Sequence, residues 1–144
     1  MADCVFCKIR DGQIPSVKVF EDARTFCIMD INPLTPGHCL VITKAHAPTL
    51  MESDPADLAA AVATARRVAV ALKGALNPEG INMLQANGAA AFQSVPHFHL
   101  HLIPRTTGDG KGFDWKLVPG DREQITKNGE KLRAALGGEG HGRA

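Results

Sequence analysis

His97-Phe98-His99-Leu100-His101-Leu102-Ile103 alternates imidazole with apolar side chains. In an extended strand successive side chains point to opposite faces, so a period of two sends the three histidines to one side and Phe98, Leu100 and Leu102 to the other. Side chains two residues apart stand roughly 6.5 to 7 Å from one another, near enough for adjacent rings to contact one phosphoryl group and its leaving atom together. A lone histidine is most often a core residue satisfied by a carbonyl, whereas no packing requirement calls for three in alternation. Three imidazoles are also a catalytic zinc set, and the alternation alone does not separate the two chemistries.

Working outward, residues 95–103 are predicted to form one strand, ended by Pro104. Upstream, residues 17–21, 25–30 and 38–43 are short, β-branched or apolar, and separated by turn material, the pattern of an antiparallel meander. Ser53-Asp54-Pro55 is a helix start, followed by Leu58, Val62, Ala65, Ala69, Leu72 and Leu76 at helical spacing and stopped by Asn77-Pro78. Residues 81–86 read as a further strand before the turn Asn87-Gly88. Beyond the histidines, residues 109–120 read as a Gly- and Lys-rich loop carrying the only tryptophan, Trp115, and Asp121 caps a short last helix through Ile125, Leu132 and Leu136. The ending 137–144 is expected to be a disordered tail. Five strands around one long helix, without βαβα alternation, predict an α+β fold on a mostly antiparallel five-stranded sheet, one domain over residues 1–136.

The 144 residues, 44% of them hydrophobic, suffice for one core without disulfide staples. A formal net charge of +1 gives no broad field to hold a polyanion, so nucleic acid is not an expected partner and phosphate recognition must be local. No apolar run reaches the roughly 18 to 20 residues that span a bilayer, and the first residues lack the apolar stretch of a signal peptide. A cytoplasmic protein without a membrane partner is the expectation. Cys4 and Cys7 form a CxxC, alone a weak metal signal, while Cys27 and Cys39 sit singly in apolar runs as buried thiols.

The segment from Asn87-Gly88 through Gln93-Ser94-Val95-Pro96 and the alternating histidines to Pro104-Arg105 closely resembles the signature of the histidine-triad (HIT) family. The resemblance runs backward through Gly37-His38-Cys39-Leu40-Val41-Ile42 and Asp30-Ile31-Asn32-Pro33 to Val5-Phe6-Cys7-Lys8-Ile9, covering about residues 3 to 105. It implies that His99 is the nucleophile at the α-phosphorus and forms a covalent nucleotidyl-imidazole. Neutral imidazole suits this role, and a covalent intermediate splits one difficult displacement into two. The resemblance further implies that His101 contacts the phosphate or protonates the leaving group, that His38 supports the ladder from a neighbouring strand, and that Gln93, Ser94 and Asn87 supply polar contacts. Asp30 would accept from the ribose hydroxyls, with Ile31, Ile28, Phe6 and Ile9 as walls for the base. Apolar residues at such spacing are otherwise ordinary core, and Asp30 before Ile-Asn-Pro is otherwise a turn former.

Bacterial proteins of the family that resemble this chain carry a structural zinc on two N-terminal cysteines, a later histidine and the first histidine of the triad, which here implies Cys4, Cys7, His46 and His97. Such a closed S₂N₂ set holds the N-terminus to the sheet and leaves His99 and His101 for chemistry. The implied function is a hydrolase of purine nucleoside phosphoramidates or dinucleoside polyphosphates, working as a homodimer joined through residues 81–84 and part of 59–72. Two other functions stand beside it. A nucleotidyltransferase is disfavoured because related transferring branches replace the last triad histidine, intact here as His101. A nucleotide-binding scaffold with little catalysis is disfavoured by the intact Gln93, Ser94, His99 and His101.

Overall fold

The computed structural model describes residues 3–113 and 116–137. The chain divides into two compact units, Met1–Lys111 and Gly112–Ala144. In the first, the elements are α1 (Val5–Arg10), β1 (Lys18–Glu21), β2 (Thr25–Met29), β3 (Cys39–Thr43), α2 (Pro55–Leu76), β4 (Gly80–Leu84) and β5 (His99–Arg105), with single 3₁₀ turns at Leu50–Glu52 and Ala89–Ala91. The strands form one sheet in the order β1-β2-β3-β5-β4, every neighbouring pair antiparallel. This is the expected α+β architecture with five strands and one long helix.

The helix α2 begins as its sequence dictates. Asp54 caps it by accepting from the Ala56 N–H at 2.8 Å with Pro55 in the first turn, and Asn77 in the left-handed region closes it ahead of Pro78. Its buried stripe is Ala61, Thr64, Ala65, Val68 and Leu72, packed on Cys27, Val41, Leu100 and Leu102 of the sheet. Of the stripe expected from sequence, Ala65 and Leu72 are buried and Leu58 packs against the core, whereas Val62 and Leu76 are exposed. A helix so rich in alanine has a weak apolar moment, and the larger side chains misdirected the reading. Thr64 also meets Thr25 of β2, Oγ1 to Oγ1 at 2.7 Å, so α2 is tied to the sheet by a buried polar contact.

The opposite face of the sheet is covered by α1, which sequence reasoning had not called helical. Phe6, Cys7 and Ile9, with Cys4 just before the helix, pack on Phe26, Ile28, Leu40 and Ile42. Six residues are too few for a periodicity signal; tertiary packing and the Cys4 Sγ accepting from the Cys7 N–H at 3.4 Å hold the helix instead.

Two strand boundaries differ from expectation. Residues 95–98 lie outside the ladder: the His97 N–H bonds the Val95 carbonyl at 2.8 Å and the Phe98 N–H bonds Ala47 O at 2.8 Å, a turn that hands the chain to β5 only at His99. Pro104 does not end the strand. It pairs with Ile81 of β4 while its carbonyl, on the other side, accepts from Thr35 Oγ1 at 2.6 Å. The absent N–H of proline thus faces away from β4, past the end of the β3 pairing, and no ladder bond is lost. The strand expected over 81–86 runs Gly80–Leu84.

The turn before β3 needs its glycine. Gly37 has φ +92°, and an added Cβ there would stand 2.5 Å from Leu76 Cδ1 and 3.1 Å from Pro104 Cγ. Gly37→Ala is expected to cost about 2 to 4 kcal/mol, from left-handed strain plus overpacking. Urea unfolding checks this, and an unchanged midpoint would contradict it.

In the second unit α3 (Arg122–Leu136) is capped by Asp121, which accepts from the Gln124 N–H at 3.2 Å, as expected. Trp115 and residues 138–144 of the tail lie outside the described residues. No helix among the described residues is long and apolar enough to cross a membrane.

Candidate active site and metal centre

Strand register places the chemistry. Leu40 of β3 stands opposite His101 and Ile42 opposite His99, while Ile28 and Phe26 of β2 continue the same rows. One sheet face therefore carries both histidines beside apolar side chains, and α1 roofs it. A cavity of about 300 Å³ opens there, lined by Phe6, Ile9, Ile28, Asp30, Ile31, Ser94, His99 and His101. These are residues named from sequence for the nucleophile, its neighbour, the ribose and the base. Val5, Ile14, Pro15, Leu40 and Val95 join them; the signal that points to Leu40 is its pairing opposite the central ladder, and Val5 follows from the α1 that was missed.

The hydrogen-bond partners fix the ring tautomers. His99 Nδ1 lies 2.7 Å from the His97 carbonyl, which only accepts, so Nδ1 carries the proton and Nε2 presents a bare lone pair. The Leu34 N–H donates to His38 Nδ1 at 2.9 Å, so the His38 proton sits on Nε2. That Nε2–H donates to His101 Nδ1 at 3.0 Å, leaving the His101 proton on Nε2. The chain Leu34 N–H, His38, His101 ends in a donor next to a ring with a free lone pair; His99 and His101 have centroids 4.9 Å apart. Phe6 lies edge-on to His99 at 5.0 Å and helps hold that ring.

Burial keeps these rings neutral. It lowers His99 against the opposing bond to the His97 carbonyl, and lowers His38 against the pull of Asp30. His101 is pushed down to about 4, first by burial and then by His99 and His38. A histidine whose pKa falls from 6.5 on folding leaves the unfolded chain the better proton binder between those values. Its contribution to stability is thus complete above pH 6.5 and is lost as pH falls toward 4. The urea midpoint is expected to drop across that window, less steeply for His101→Gln; a flat profile would contradict the assignment.

Asp30, His38 and His101 bring ligand-type atoms within 4.8 Å of one another. They do not suit a cation, because the His38 Nε2 proton occupies the lone pair a metal needs. Asp30 Oδ1 accepts from the Asn32 N–H at 2.8 Å, the turn role foreseen as its alternative, and Oδ2 stands 3.4 Å from His38 Nε2. Two residues named from sequence are placed elsewhere. The Gln93 side chain accepts from the Gly88 N–H at 2.7 Å and donates to the Pro48 and Val95 carbonyls. Asn87 is engaged with the Leu50 N–H and the Gln85 amide. Both brace the loop that carries Ser94, and neither lines the cavity.

Cys4, Cys7, His46 and His97 form a second cluster, all four ligand atoms within 4.8 Å of one another. His97 Nε2 donates to Thr43 O at 2.7 Å, so its bare Nδ1 faces the cluster. That atom is 3.3 Å from Cys4 Sγ, 3.6 Å from Cys7 Sγ and 3.1 Å from His46 Nδ1, and Cys7 Sγ is 3.4 Å from His46 Nδ1. Tetrahedral zinc at ~2.3 Å from sulfur and ~2.05 Å from nitrogen requires sulfur–nitrogen edges of about 3.5 Å and nitrogen–nitrogen edges of about 3.3 Å. The four side chains fit that ion. Burial and Cys4 push the Cys7 thiol up, and His97 is pushed down to about 4 chiefly by burial, so His97 is already in the neutral form that ligates. A bound divalent cation would reverse the thiol shift by favouring thiolates.

A sheet-borne pair of neutral histidines stands beside a carboxylate-edged cavity, flanked by a Cys₂His₂ cluster. The HIT domain matches residues 11–108. An adenylylsulfatase of Arabidopsis thaliana is 45% identical over 107 residues, 74% of this chain and 54% of that protein, so the match spans about half of the relative. An adenosine 5′-monophosphoramidase of Schizosaccharomyces pombe is 37% identical over 92% of this chain and 98% of its own. The crystal structure of a zinc-bound histidine triad family protein from Mycobacterium smegmatis has a TM-score of 0.74 at 40% identity, covering 94% of each chain. The chain belongs to the HIT family.

Proposed function

We propose that this protein hydrolyses purine nucleoside 5′-phosphoramidates, or related dinucleoside polyphosphates, at the α-phosphorus through a nucleotidyl-His99 intermediate. The observation that carries the reading is the bare Nε2 of His99, held by the Nδ1–H bond to the His97 carbonyl. Its lone pair forms the bond to phosphorus as the phosphorus–nitrogen bond breaks and the leaving nitrogen takes the electron pair. The His101 Nε2–H, held by His38, supplies a hydrogen bond to the leaving or non-bridging atom. Its low proton affinity suits a hydrogen-bond donor better than an imidazolium acid, so the leaving nitrogen takes its extra proton from solvent before the phosphorus–nitrogen bond breaks and departs as a neutral amine. Water then forms the new phosphorus–oxygen bond, the electron pair returns to Nε2, and one water proton passes to solvent.

In this reading Asp30 accepts from the ribose and Phe6, Ile9, Ile28 and Ile31 enclose the base, with Ser94 beside the phosphate. Cys4, Cys7, His46 and His97 would hold a structural zinc, which would fasten α1 over the cavity and leave the displacement to His99 and His101. Similarity to the phosphoramidase of S. pombe favours an amide leaving group. A homodimer is consistent with β4 ending the sheet and with exposed Met83, Val62 and Val70. Four cysteines without a disulfide suit a reducing cytoplasm. A panel of adenosine 5′-phosphoramidate, diadenosine polyphosphates and a nucleotide sugar tests the reading: release of AMP from the phosphoramidate is expected, and no AMP from any of them would overturn it.

A further inference from the structure

The single proton on His38 Nε2 is given to His101 Nδ1, and a second acceptor stands within reach. His38 Nδ1 is filled by the Leu34 N–H, so the ring can donate only from Nε2. His101 Nδ1 lies 3.0 Å away and Asp30 Oδ2 3.4 Å away. Asp30 cannot turn aside freely, because Oδ1 is held by the Asn32 N–H at 2.8 Å. The backbone on the far side is equally fixed: Thr35 Oγ1 bonds Pro104 O and the His38 N–H bonds Thr35 O at 3.1 Å, so the Leu34 donor keeps its place. A carboxylate is a stronger acceptor than a neutral imidazole, and without substrate Asp30 competes with His101 for the one donor.

We infer that Asp30 is a positioning residue that couples sugar recognition to the tautomer of His101. The inference rests on the function proposed above and adds to it a specificity that acts on rate. Ribose hydroxyls donating to Asp30 Oδ2 satisfy the carboxylate and release the His38 proton wholly to His101 Nδ1. His101 is then locked with its own proton on Nε2, toward the leaving group. A sugar without those hydroxyls leaves Asp30 Oδ2 as a competing acceptor, and His101 spends part of its time in the tautomer whose Nε2 lacks a proton. Binding of the right sugar thereby assembles the donor that the chemistry needs.

The test compares adenosine 5′-phosphoramidate with its 2′,3′-dideoxy counterpart, with kcat and KM measured separately. For the wild-type protein the dideoxy substrate is expected to lose about tenfold in kcat in addition to any rise in KM. In His38→Ala, which severs the link, the two substrates should share one kcat. A purely binding role for Asp30 predicts a change in KM alone, and that result would overturn the inference. So would a kcat ratio that persists undiminished in His38→Ala. Ring ¹⁵N NMR of the unmodified protein decides the matter independently of turnover. Saturating AMP should raise the share of His101 in the Nε2–H form above that of the free protein and 2′,3′-dideoxy-AMP should not; equal spectra would overturn the coupling. If the wild-type protein turns over neither substrate, the proposed hydrolysis fails, and the NMR comparison still accepts or rejects the coupling by itself.

Discussion

His99→Ala is expected to lower turnover of adenosine 5′-phosphoramidate by at least about 10³-fold, the scale on which removal of a covalent nucleophile acts. The argument is geometric. His99 is the ring whose Nδ1 proton is taken by a main-chain carbonyl at 2.7 Å and whose Nε2 is bare beside the cavity. His101 carries its proton on the corresponding atom and is not ready to attack, and His97 turns its lone pair to the cysteines. Acid-quenched wild-type protein should carry a nucleotidyl mass on a peptide containing His99, absent from the variant. Circular dichroism should show the fold retained, since the ring is one contact of Phe6 rather than the centre of the core. A variant keeping more than about a tenth of the rate would sink the assignment.

Cys7→Ala should carry the largest effect on stability. Its Sγ stands 3.4 Å from His46 Nδ1 and 3.6 Å from His97 Nδ1, and α1 has only six residues to hold itself. A zinc ion held there at a thousand times its dissociation constant would contribute about 4 kcal/mol to the folded state, and at this chain length that corresponds to roughly 10 °C in Tm. Metal analysis should find one ion per wild-type chain and none in the variant, and chelation of the wild type should reproduce the loss of Tm. A wild-type protein purified without metal, as stable as its chelated form, would refute a structural zinc.

Much of this is legible in the sequence, and unevenly. The alternation at residues 97–103 separates the two faces correctly even though His97 lies outside β5, because a turn held by Ala47 O preserves the direction of its ring. The caps of α2 and α3 were local chemistry and could be read from Asp54-Pro55 and Asp121. The failures share a cause in tertiary context. Pro104 breaks a strand only if its nitrogen faces a partner, which depends on where β3 stops. The helix at Val5–Arg10 is too short to announce itself, and the buried stripe of α2 is written in alanines. Within the site, the alternation pointed to the histidine face, and the family resemblance singled out His99, His101 and Asp30. That Gln93 and Asn87 spend their amides on the loop, and that Leu34 lends a main-chain donor to His38, depends on rotamers and backbone path that spacing does not encode.

The bond that aims His99 is made by the main chain of residue 97, and no point substitution at that position deletes a carbonyl. The aim can be lost only by displacing the backbone. What pins it is distributed: Thr43 O under the imidazole, Ala47 O on the next N–H, and two sulfurs from the far end of the sequence. Inherited damage to the aim of His99 therefore has two distinct routes. One is the histidine codon itself, and the other is a scattered set of positions that never touch a substrate.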